Sequence, residues 1–246
     1  MRICSLTGSG GVPGGGFVKH RMAFSEPLPV GLASLARESS RPVRTRPSLR
    51  VAMVLLALVW TQFPLGGGAR AQGGQALELC CAWGRTLADD TLTYSISAGD
   101  TLTADVIRAA VREWDSALAI SFIEVDPGRP VDVTMTFTES PGRTEGQAVT
   151  SFTQRGLIRN VEVTIRGGRA PENSGGIIQI AKHEFGHALG LGHANFDGNL
   201  MSEAVSPEPA PIPACAIEGV TEANRWKLGD PESKRPHAPR ASEVSC

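Results

Sequence analysis

The chain carries no surplus of either charge: Lys and Arg number 24, Asp and Glu 25, for a net charge of -1. With no basic surplus there is no electrostatic footprint for nucleic acid, and no such partner is expected. Apolar runs long enough to cross a bilayer, about 20 residues, are also missing; residues 51–60 (VAMVLLALVW) fall well short. Histidine is scarce, five in all, with none between His20 and His183. Residues 1–48 have no regular apolar spacing. Their glycine clusters and scattered prolines would bury almost nothing, so they read as a disordered extension.

What surrounds the short apolar run gives it a meaning. Arg50 precedes it, and Ala69-Arg70-Ala71-Gln72 follow a glycine cluster. Positive charge, a short apolar core and a small-x-small ending describe a secretory signal over residues 49–71, cut after Ala71. An uncleaved membrane anchor and a buried core helix compete for the same run. A signal so far from Met1 suggests that translation starts downstream, near Met22 or just before the run. The exported part is then secreted, with no stable membrane association after cleavage, and is expected to be monomeric. It keeps Cys80, Cys81, Cys215 and Cys246, an even number that fits disulfides in an oxidising compartment. Four cysteines allow three pairings. A bridge from Cys80 or Cys81 to Cys215 would tie the start of the domain to its end.

Residues 72–228 read as one globular domain, followed by a flexible tail over 229–246. Apolar alternation predicts strands over 92–97 and 131–137, and 120–125, 146–152 and 160–166 read as three more. Leu102, Val106, Ile107, Ala110, Val111, Trp114 and Leu118 recur at helical steps, with Asp100, Thr101 or Thr103 available as caps. A second helix opens at Ser174, and residues 216–228 read as a closing one. The order implies an α+β domain with a mixed, twisted five-stranded sheet and its helices on one face.

Three of the five histidines stand in KHEFGHALGLGH, residues 182–193. On a helix, His183 and His187 lie one turn apart on the same face, able to share one ion. Glu184 is offset enough to reach a water on that ion. Gly190 can end the helix in a left-handed turn and return His193 as a third ligand. Three neutral imidazoles leave one corner of a tetrahedral zinc open, the arrangement of a catalytic site. The bland alternative is an amphipathic helix with histidines on its solvated side.

This H-E-x-x-H-x-x-G-x-x-H, followed eight residues later by Met201, resembles the metzincin clan of zinc peptidases, and within it the matrixin family. The resemblance implies one catalytic zinc held by His183, His187 and His193, Glu184 as general base, and Met201 as a packing floor beneath the metal. It implies an endopeptidase acting on extended protein or peptide substrates, with strand 146–152 as an edge facing the cleft and residues 206–213 walling the pocket for the residue after the cut bond. Asp132 stands where matrixins use an aspartate for calcium, and also reads as a plain solvated strand residue. The missing histidines mean that the second, structural zinc of animal matrixins is absent. Ala194 replaces the usual serine, and Ser202-Glu203 the usual aromatic and proline; neither change touches a ligand. The pro-segment switch motif is absent too, so activity on export is expected. A catalytically lapsed zinc-binding adhesion module is the competing function.

Overall fold

The computed structural model describes residues 15–21 (backbone only), 74–229 and 235–246, all within one compact unit. The signal segment over 49–71, its cleavage site and the alternative starts lie outside the described residues.

In chain order the elements are β1 (Gly15–Arg21), β2 (Ala76–Leu79), β3 (Ala82–Trp83), a 3-10 turn (Arg85–Asp89), β4 (Thr91–Ser97), α1 (Thr101–Ala117), β5 (Ser121–Glu124), β6 (Val133–Glu139), β7 (Glu145–Thr153), β8 (Leu157–Gly167), α2 (Ser174–Ala188), β9 (Leu191–Ala194), α3 (Ala214–Ala223), α4 (Arg225–Leu228) and β10 (Glu243–Ser245). The five expected strands form the body of a mixed sheet in the order β7-β8-β6-β4-β5. Pairing is parallel through β8, β6, β4 and β5, and antiparallel between β7 and β8. Alternation works as the sequence suggests. Val133, Met135 and Phe137 of β6 and Val161, Val163 and Ile165 of β8 are buried, so one face of the sheet is apolar. Against it lie α1, contributing Ile107, Val111 and Trp114, and α2, contributing Ile177, Ile180 and Ala181. Asp100 caps α1, its carboxylate accepting from Thr103 N at 2.8 Å.

Four findings depart from expectation. Residues 15–21, inside the stretch read as disordered, run antiparallel to β7 in a seven-residue register. The strand expected to be an edge is therefore covered on both sides, by β8 and by β1. The closing helix is two helices, because Asn224 leaves the helical path to use its side chain elsewhere. Its Oδ1 accepts from Trp83 N, and its Nδ2 donates to Leu189 O and Val220 O. The disulfides are Cys80–Cys81 and Cys215–Cys246, and no bridge joins either early cysteine to Cys215.

The fourth concerns the tail. Residues 235–246 are not loose: β10 pairs with β2, β2 pairs with β9, and Cys246 N donates to Gln75 O at 2.7 Å. A three-residue strand has too little pattern to announce itself, and its partner lies at the other end of the domain. The bond from Cys246 to Cys215 on α3 closes a loop with a sequence separation of 31. Replacing both cysteines by serine should cost about 3–4 kcal/mol of stability, chiefly through the unfolded chain's added freedom. Denaturant unfolding with and without the pair measures this; an unchanged midpoint would show that strand pairing alone holds the terminus.

Candidate metal centre

The centre is built on α2. His183, Glu184 and His187 occupy its last turns and are 0%, 0% and 1% exposed, too deep for solvated surface histidines. Trp114 Nε1 donates to Lys182 O and Trp83 Nε1 to Ala188 O, so two core tryptophans hold the helix backbone on either side of the pair. After α2 the chain reverses at Gly190, whose φ is +101. A Cβ there would stand 2.3 Å from Cys81 O, so the turn needs glycine for both its conformation and its space. The reversal becomes β9, which carries His193.

The candidate ligand atoms of His183, His187 and His193 all lie within 4.8 Å of one another. Their ring centroids are 4.5, 4.9 and 5.5 Å apart. His183 Nδ1 is 2.6 Å from Leu200 O, and His187 Nδ1 is 2.8 Å from Leu191 O. A carbonyl only accepts, so each Nδ1 carries the proton and each Nε2 keeps its lone pair. Those two Nε2 atoms face each other at 2.8 Å. Two lone pairs at that distance repel unless a cation draws them together. The donor set therefore fits a nitrogen-binding metal such as zinc, and burial, which holds His193's imidazole below its usual pKa against the opposing charge of Glu203, keeps a neutral ring available.

Met201 is fully buried against α2. Its approach depends on Gly186, where a Cβ would stand 2.6 Å from the methionine sulfur. Ala194 N donates to Met201 O, joining the third histidine's strand to the methionine turn, and the preceding Leu200 supplies the carbonyl that orients His183.

Glu184 has neither carboxylate oxygen hydrogen-bonded among the described residues, and burial pushes its pKa well above the usual carboxylate range. It lies against the start of β7: a Cβ on Gly146 would stand 2.2 Å from its Oε1 and 2.6 Å from Ile180 Cγ2.

The matrixin family profile matches residues 82–221. The chain belongs to the matrixin family. Membership and the imidazole cluster together support zinc as this matrixin's metal. The chain is similar to the hatching enzyme of Paracentrotus lividus, 33% identical over 141 residues that make up 48% of this matrixin and 22% of that protein. It is also similar to metalloendoproteinase 1-MMP of Arabidopsis thaliana, 29% identical over 147 residues, 48% of this chain and 38% of that one. It thus spans well under half the length of either relative. Myroilysin is a similar solved structure, 22% identical with a TM-score of 0.32, over 48% of this matrixin and 54% of that chain.

Asp132 Oδ2 accepts from Thr93 N and Oγ1, both at 2.7 Å. His237 stands apart, its Nδ1 2.8 Å from Ala238 O. Sequence reading missed Gly186, Gly146, Asn224 and Lys182. Gly186 could have been found: a glycine inside a strong helical pattern signals close approach. Lys182, 1% exposed, bonds Glu113 Oε2 at 2.9 Å and Ala210 O, while Gln179 Nε2 donates to Glu208 O at 2.8 Å. Two side chains of α2 thereby fasten the proline-rich segment beside the site.

Proposed function

We propose that this matrixin is a secreted zinc endopeptidase, with His183, His187 and His193 holding one zinc ion and Glu184 moving the proton. The observation that carries the reading is the pair of imidazole Nε2 atoms, left unprotonated by the hold of backbone carbonyls on Nδ1 and 2.8 Å apart, on the same helix as the buried carboxyl group of Glu184. Zinc bound by three histidines supplies a polarised water and a Lewis acid for a carbonyl oxygen. Glu184 takes the water's proton and delivers it to the leaving amine. Its burial favours that exchange, since a carboxyl group with a raised pKa holds a proton more readily than a solvated one. No serine or cysteine nucleophile is required.

The substrate is an extended protein or peptide. A cavity of about 400 Å³, lined in part by Gln179, Leu200, Val205, Ala210 and Pro211, takes the side chain after the cut bond. Leu200 joins this wall to the metal centre through its carbonyl on His183. Secretion is supported by two disulfides, which persist in oxidising compartments. No helix among the described residues is long and apolar enough to cross a membrane.

The exported form should hydrolyse casein, lose that activity to a zinc chelator and recover it with added zinc. Hydrolysis that survives complete metal removal sinks the proposal. Gly146→Ala tests the placement of the base. Its methyl group cannot fit without moving Glu184 or Ile180, and a shift of about 1 Å at the reacting centre can cost roughly 10²-fold in rate. A corresponding fall in kcat/KM at unchanged zinc content is expected; an unaltered value would place Glu184 outside the reaction.

A further inference from the structure

Residues 206–213 carry proline at every second position, from Pro207 to Pro213. Proline has no N–H to give, so this spacing rules out both a helix and a strand ladder, and the segment forms neither. What it offers the rest of the domain is carbonyls. Pro211 borders two hollows, the cavity of about 400 Å³ that it shares with Leu200 and Val205, and a second of about 590 Å³ lined in part by Ala109, Arg112 and Glu113 of α1. Packing alone therefore does not fix where this wall stands.

Two side chains of α2 reach across to it. Gln179 Nε2 donates to Glu208 O at 2.8 Å and Lys182 Nζ to Ala210 O, so donors three residues apart on a helix meet carbonyls two residues apart on the wall. The buried amino group of Lys182 also pairs with Glu113 Oε2 at 2.9 Å, which ties it to α1.

We infer that Lys182, with Gln179 beside it, is a positioning residue for substrate choice: by holding the Ala210 carbonyl it sets the width of the 400 Å³ cavity, and so which side chain fits after the cut bond. The consequence rests on the peptidase reading of that cavity; the hold on the wall does not. Ala210 and Pro211 line the cavity, so a wall released from α2 admits a longer side chain. Lys182 directly precedes His183, and one turn of α2 thus sets both the imidazole and the wall.

The test uses the zinc-loaded exported form and quenched peptides that differ only in the residue after the cut bond, its straight chain lengthened one methylene at a time until the parent's kcat/KM falls. Lys182→Met keeps the bulk and removes the donor. The penalty on the first rejected side chain should shrink about tenfold, the worth of roughly one methylene in a fitted pocket, at unchanged zinc content. Glu113→Gln leaves the bond to Ala210 in place and should lower stability while keeping the parent's ratio, which separates positioning from a general contribution to the fold. An unchanged ratio in Lys182→Met, or an equal shift in Glu113→Gln, overturns the inference. If Lys182→Met does not fold, Gln179→Met, which loses the neighbouring bond, decides by the same ratio. Without turnover, isotope-labelled Lys182 should show its amino nitrogen coupled to the Ala210 carbonyl carbon, and a missing coupling overturns the inference whether or not any peptide is cut. A parent that cuts no peptide and no casein counts against the peptidase reading alone.

Discussion

Glu184→Gln should abolish peptide hydrolysis, lowering kcat by about 10²–10⁴-fold, the usual worth of a positioned general base, while leaving the metal in place. Glutamine matches the side chain in volume and cannot ionise. Glu184 is fully buried with no hydrogen bond to either oxygen among the described residues, so its charge costs the native protein stability. The variant is therefore expected to unfold at the same temperature as the parent or a higher one. This combination, inert yet at least as stable, separates a catalytic residue from a structural one. Casein cleavage at the parent's rate would remove Glu184 from the mechanism and favour a module that keeps zinc without chemistry.

His187→Ala should do the opposite, losing the metal and with it much of the stability. The substitution removes one of three nitrogens and leaves the Leu191 carbonyl without its imidazole donor, a buried loss of about 1–3 kcal/mol. Loss of the ion adds to this. A ligand present at a thousand times its Kd stabilises the native form by about 4.1 kcal/mol. Since 1 kcal/mol shifts Tm by roughly 2–4 °C in a domain of this size, zinc loss alone should lower it by roughly 8–16 °C. Elemental analysis and a thermal scan check both parts. A variant retaining the full zinc content would break the three-histidine assignment.

The imidazole cluster was readable from sequence because its geometry is local. A helical turn fixes the spacing of His183 and His187, and one glycine brings back His193, so three imidazoles fall within eleven residues. The sheet was readable for the same reason: strands such as Thr91–Ser97 and Val133–Glu139 declare themselves by their own alternation. What escaped were contacts between distant parts of the chain. Nothing near Gly146 says that Glu184 will fill the space where a Cβ would be. Nothing near Asn224 says that its amide will join Trp83 to the end of α2. Cysteine count left three pairings open, and the natural guess joined the wrong partners because β10 lies where a bridge to Cys215 is made from the chain's far end.

That placement of β10 has a temporal consequence. The strand bearing His193 is backed by β2, and β2 is backed by β10. Synthesis proceeds from the N-terminus, so of these three strands β10 is made last, after β2 and β9. The small sheet that carries His193 can therefore be complete only after β10 has been made and paired.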